Sequence, residues 1–342
     1  MVFPPIPAEN AKPVPLPAGG LGGQTDIVLS VRDLSIQFGS AERPVRAVDS
    51  VSFDIAAGEV VALVGESGCG KSATALAVAR LLPEPPARYT GGSIILMGVD
   101  VLKADAAKLR AMRGGSVAYV FQEPAAALNP VWSIGFQIDE VLRAHRPEVD
   151  RAAERERLFR AVGLDDVKRV SRAYPHELSG GMQQRAMIAM ALAGGPRLLI
   201  ADEPTTALDV TVQKQVLDVL IRLARETNLA MLFITHNLAL ASKISRRIIV
   251  MYAGQIVEEG TAEHVLSSPR HPYTRALLRA LPRLRGSLER LEGIPGVVPA
   301  ADAYPGGCRF HPRCPFARKL CSERVPDMEE GVRCHFWREI PK

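Results

Sequence analysis

Residues 65–72 read GESGCGKS, a spacing of glycines, lysine and hydroxyl that suits phosphate. Small residues at Gly65, Ser67, Gly68, Cys69 and Gly70 let successive backbone N–H groups turn inward onto phosphate oxygens, Lys71 reaches the outer phosphates, and the Ser72 hydroxyl can ligate Mg2+. Cys69 enters only as a small side chain, with no chemistry of its own expected. A second phosphate pattern follows more than a hundred residues later, in LSGGMQQR at 178–185. There Ser179, Gly180 and Gly181 offer backbone N–H groups and the positive end of a helix dipole. One chain with one nucleotide would not need two phosphate cradles.

Four further groups stand where apolar runs stop. LLIADEP at 198–204 ends in two carboxylates; Asp202 suits the Mg2+ shell, and Glu203 suits a general base that takes the proton of an attacking water. Two unpaired acids after so apolar a run would be costly without a cation or phosphate site to serve. His236 ends LAMLFIT as a candidate γ-phosphate sensor, and Gln122, in AYVFQEP, can touch Mg2+ or the attacking water.

The elements that must place these groups are legible in the hydrophobic pattern. From residue 28 to about 260, short apolar runs alternate with helical patterns, which predicts an α/β domain around a mostly parallel sheet. Strands are expected over 28–38, 46–55, 60–64, 198–201 and 230–235, with a hairpin at 248–252 and 255–258 around Ala253-Gly254. Helices are expected over 71–82, before Pro83, and over 182–193, before Gly194-Gly195. Between about 124 and 178 the strand signal vanishes and amphipathic patterns such as 150–162 predict an inserted helical subdomain. Residues 1–26, rich in Pro and Gly with neither a basic start nor an apolar core, predict a flexible arm rather than a secretory signal.

No apolar run approaches the ~20 residues needed to cross a bilayer. The net charge of +5 lies wholly after residue 261, where 14 basic and 9 acidic side chains interleave, so a solvated surface is expected and a nucleic-acid partner is not. Four of the five cysteines also fall there: Cys308, Cys314, Cys321 and Cys334, spaced C-x5-C-x6-C-x12-C in a Pro- and Gly-rich stretch. Without an export signal, clustered cysteines suggest metal rather than disulfides. Zinc usually takes a tight C-x2-C pair, absent here although His311 and His335 lie nearby, and wider cysteine-only spacing suits a [4Fe-4S] cluster. Cluster, zinc and unmetallated thiols all stay open on spacing alone.

Taken in order, the phosphate loop, the Gln122 loop, LSGGMQQR, ADEP, TALD at 206–209 and His236 resemble the ATP-binding cassette family across residues 28–260. FQEPAAALNPVWSIGFQI, HPYTRALLRALP and the cysteine tail resemble its peptide and nickel importer branch, extending the likeness to nearly the whole chain after residue 26. The resemblance implies a P-loop nucleotide-binding domain over 27–261, with an antiparallel β subdomain and the inserted helical subdomain, and a C-terminal extension over 262–342. It implies ATP and Mg2+ as ligands, and a head-to-tail dimer in which Ser179, Gly180 and Gly181 cap the γ-phosphate held by the partner's loop. It also implies that Asp209 lines the dimer seam and that Phe38 stacks on adenine. Partners would be a second cassette subunit, a paralogue by family habit, two membrane permease subunits and an extracytoplasmic substrate-binding protein, at the cytoplasmic face of the membrane. Some tails of this kind carry a [4Fe-4S] cluster. Asn237 stands where Asp is more usual and Met182 where many cassettes have Gln; neither removes a catalytic group. Soluble cassette ATPases of DNA repair or translation are the rival class, but they typically carry a long coiled coil or two cassettes, and this sequence has neither. Dipeptide, longer peptide, nickel and haem all remain open as cargo.

Overall fold

A computed structural model describes residues 26–40, 43–206, 208–280 and 293–341; apart from Asp26, the N-terminal arm lies outside the described residues. Ten strands occur among them: β1 (Ile27–Phe38), β2 (Val45–Ala56), β3 (Val60–Val64), β4 (Arg88–Leu96), β5 (Val99–Asp100), β6 (Val117–Val120), β7 (Leu198–Asp202), β8 (Ala230–Thr235), β9 (Arg247–Tyr252) and β10 (Gln255–Thr261). The helices of the first half are α1 (Lys71–Val78), α2 (Ala106–Gly115), α3 (Pro124–Ala127), α4 (Ile134–His145), α5 (Arg151–Ala161) and α6 (Val167–Arg172). Those of the second are α7 (Gly180–Ala193), α8 (Val210–Thr227), α9 (Leu238–Ile244), α10 (Ala262–Ser267), α11 (Pro272–Arg279) and α12 (Lys319–Glu323).

The strands form two sheets. A six-stranded sheet runs β10-β9-β3-β8-β7-β6, parallel except for the β9–β10 hairpin, and an antiparallel sheet runs β2-β1-β4-β5. Every residue of β7 and β8 is buried, which is why those runs are continuously apolar rather than alternating. At the hairpin Ala253 and Gly254 both take positive φ, as a two-residue turn matched to the strand twist requires. The inserted region is helical from α3 to α6, and Asp150 caps α5 by accepting the Ala152 and Ala153 N–H groups.

Two expected helices differ at their ends. α1 stops at Val78 rather than Leu82, because Arg80 adopts φ 50° and the Leu81 N–H reaches back to the Leu76 carbonyl at 2.8 Å. That closes the helix in a left-handed turn ahead of the prolines. α7 begins two residues early, so Gly180 and Gly181 form its first turn behind the Ser179 cap.

One core cluster fills the space between the antiparallel sheet and the large sheet, and a second joins the large sheet to the helical subdomain. The third ties the C-terminal extension to the cassette: Val64, Val250 and Tyr252 pack with Val265, Tyr273 and Phe310, and Cys308 and Cys314 lean on the same cluster. Burying each of these three aromatic rings stabilises the docking by about 2 kcal/mol. Glu258, fully buried, accepts N–H bonds from Arg270 (2.8 Å) and His271 (3.0 Å), which fixes the turn into α11. No helix among the described residues is long and apolar enough to cross a membrane.

Candidate nucleotide site and cysteine module

Parallel register collects the functional side chains at one edge. Val64 pairs with Thr235, Asp202 with Ile234 and Val120 with Ala201, so the phosphate loop, the Asp202–Glu203 pair, His236 and Gln122 all follow the carboxyl ends of adjacent strands. Ligands of open α/β sheets gather at that edge.

The loop is shaped for an anion. Gly70 has φ 104°, and a Cβ there would come within 2.4 Å of the Ala47 carbonyl oxygen. Lys71 is 5% exposed, and its ammonium donates to the carbonyls of Gly65 (2.9 Å) and Glu66 (3.0 Å). Among the described residues it has no carboxylate partner, so this nearly buried charge favours an anion at the loop. Ser67 and Gly68 are exposed at the loop's crest. Cys69 is different: only its backbone belongs to the cradle, since its side chain is fully buried in the core and burial raises its thiol pKa.

Ser72 donates to Asp202 Oδ1 at 3.2 Å, so two of the three expected Mg2+ residues meet across 130 positions of sequence. Asp202 also accepts from the Tyr119 hydroxyl at 2.6 Å. Burial and the adjacent carboxylate keep that phenol protonated. Tyr119 carries only one sequence signal, a polar tip inside the apolar run AYV. Glu203 adopts φ 46°, a left-handed turn that breaks strand alternation and brings a second acid to the same edge. Its Oε2 receives Thr206 Oγ1 at 2.9 Å and lies 3.2 Å from His236 Nδ1.

Three expected residues stand less engaged. Gln122 is exposed and makes no hydrogen bond among the described residues. Phe38 is half-buried and packs against the core of the antiparallel sheet, while Asp209 caps α8 by accepting the Thr211 and Val212 N–H groups. Asn237 caps α9 in the same way, a task at which Asn and Asp are equivalent.

Ser179 and Gly180 are exposed, and Ser179 accepts the Met182 N–H at 3.4 Å. No hydrogen bond among the described residues links them to their own chain's phosphate loop. Gly181 instead meets the start of α8, where an added Cβ would lie 2.4 Å from Val212 Cγ1. The second cradle and Asp209 therefore flank the same α7–α8 approach.

In the extension, Cys308, Cys314, Cys321 and Cys334 line one small cavity with Phe310, Phe316 and Phe336. Burial pushes the Cys308 thiol up to about 12 and Cys314 up to about 11, opposed by hydrogen bonds from the backbones of Phe310 and Phe316. Cys334 is raised by burial and opposed by the Phe336 backbone. Each of these cysteines begins a C-x-F step in the sequence. Among the described residues no three cysteine, histidine or carboxylate groups form a set that could hold a metal ion, so the arrangement does not separate cluster, zinc and unmetallated thiols.

Comparison with known proteins agrees with this geometry. Residues 48–206 match the family described as ABC transporter, and residues 257–321 match that described as Oligopeptide/dipeptide transporter, C-terminal region. A putative peptide import ATP-binding protein of Brucella ovis is 47% identical, covering 92% of this chain and 98% of its own. Dipeptide transport ATP-binding protein DppD of Haemophilus influenzae is 45% identical, covering 90% of this chain and 95% of its own. Among solved structures, the dimeric post-hydrolysis state of the ATP-binding cassette MJ0796 bound to ADP and Pi aligns with a TM-score of 0.61 at 26% identity, covering 68% of this chain and 98% of that one. Likeness of this depth along nearly the full length settles the family: this chain belongs to the ATP-binding cassette transporter ATPases.

Proposed function

We propose that this chain hydrolyses ATP to energise uptake of di- or oligopeptides through a membrane permease. The observation that carries the peptide cargo is the match of residues 257–321 to the oligopeptide/dipeptide transporter C-terminal region, joined to a cassette with its catalytic edge assembled. Bound Mg2+-ATP supplies the scissile phosphoanhydride and the cation that offsets its charge. The chain's residues supply placement. Gly65, Ser67, Gly68 and Gly70 hold the phosphates, Lys71 pairs with the outer ones, and Ser72, Asp202 and Gln122 serve the Mg2+ shell. Glu203 takes the proton of the attacking water, His236 fixes Glu203 and senses the γ-phosphate, and Phe38 meets adenine.

Ser179, Gly180 and Gly181 serve the nucleotide of a second cassette, with Asp209 at the seam. Their exposure and their distance in bonding from their own loop support that reading. The second cassette is a paralogue, the helical subdomain meets two permease subunits, and a substrate-binding protein delivers cargo from outside, which places this chain at the cytoplasmic face.

The cysteine module fits a [4Fe-4S] cluster held by Cys308, Cys314, Cys321 and Cys334. What supports the reading is that the four thiols line one cavity and that their wide, cysteine-only spacing suits such a cluster. Such a cluster would supply folding free energy to a stretch poor in apolar residues.

Affinity capture of the tagged chain from detergent-solubilised membranes tests the assignment. Two permease subunits and a second cassette are expected to co-purify; ribosomes or DNA without any membrane subunit would contradict it.

A further inference from the structure

Glu66, the second residue of the phosphate loop, is an acid where a polyphosphate is to sit. Left free, its carboxylate would repel the ligand. It is not left free. Arg313, nearly 250 residues away in the extension, donates both terminal guanidinium nitrogens to it, at 2.9 and 3.1 Å, a two-pronged match to the carboxylate. The Arg313 side chain is 5% exposed, and its third nitrogen, Nε, donates to the Pro295 carbonyl at 2.8 Å. The other end of Glu66 is held as well: its backbone N–H donates to the hydroxyl of fully buried Tyr273, from α11, at 2.9 Å.

A second contact reaches the same loop. Arg309 pairs with Asp49 and donates to the Ala253 carbonyl, and the next residue, Gly254, donates its N–H to the Cys69 carbonyl at 2.9 Å. Arg309 follows Cys308 directly, and Arg313 precedes Cys314 directly. Tyr252, Tyr273 and Phe310 pack ring against ring between the loop and the cysteine cavity, with centroids 4.5 to 5.4 Å apart.

We propose that the C-terminal extension positions and charge-tunes the phosphate loop, with Arg313 neutralising Glu66 and Tyr273 fixing its amide, so that nucleotide affinity depends on a domain that does not touch the nucleotide. The proposal rests on residues 65–72 being the ATP loop, and Lys71→Ala tests that separately. Arg313 and Tyr273 are positioning residues, acting through Glu66.

ATP affinity of the full-length chain is the readout. Arg313→Gln exposes the Glu66 charge to the phosphates and raises the ATP Kd about tenfold. Adding Glu66→Gln removes that charge and returns the Kd to within about threefold of the starting chain, a recovery that mere anchoring of the extension would not give. Tyr273→Phe, which deletes one oxygen and keeps the ring, raises the Kd by about threefold and decides the matter if Arg313→Gln does not fold. Arg338→Gln, at an exposed ion pair with Glu330, leaves it unchanged. An unchanged Kd in Arg313→Gln, or no recovery in the double variant, overturns the proposal. If Lys71→Ala also binds ATP normally, the loop assignment itself fails.

Discussion

The Glu203 carboxylate and the His236 imidazole meet at 3.2 Å across 33 positions of sequence, and Thr206 holds the same carboxylate oxygen at 2.9 Å. The carboxylate proposed to take a proton from water is therefore aimed by two neighbours rather than free to swing.

Replacing Glu203 with Gln keeps the shape and removes the base. Turnover of the assembled transporter is expected to fall by roughly a hundredfold or more with ATP affinity retained. Single-turnover and equilibrium binding measurements separate the two, and near-normal hydrolysis would sink the role given to Glu203.

The edge that holds this pair is legible in the hydrophobic pattern. β3 and β8 begin and end where the apolar runs do, Asp202 ends β7, and Ser72 lies in the first turn of the helix that follows β3. Two things were not legible. Tyr119 bonds Asp202 from a strand whose pattern shows only that it is apolar, and the direction of a side chain from a strand end depends on register that neighbours set. The clamp on Glu66 by Arg313 joins residues almost 250 positions apart, and no local periodicity marks such a pair. Conversely, Cys69 lies inside a recognisable motif, yet its side chain is buried in the core, a direction the motif does not specify.

Ser179 caps its own helix and faces outward, so Ser179→Arg costs about 1 kcal/mol of cap and leaves the chain folded. ATP binding by the isolated chain should stay within about twofold, while hydrolysis by the assembled complex is lost. A purified monomer hydrolysing at the full rate of the complex, indifferent to Ser179→Arg, would refute the shared site.

Chemical analysis after anaerobic purification addresses the cysteine module. Iron and labile sulfide are expected in near-equal amounts, about four of each per chain, with a strong loss on Cys314→Ser. Stoichiometric zinc without sulfide overturns the cluster, and metal content indifferent to Cys314→Ser overturns the ligand assignment.

Uptake measured in cells deleted for this chain is the most direct test of peptide import. Complementation with the unaltered chain should restore accumulation of a labelled dipeptide, and Glu203→Gln at the same protein level should not. Restored uptake of labelled nickel or haem with no effect on dipeptide, or full dipeptide uptake with Glu203→Gln, would contradict the account.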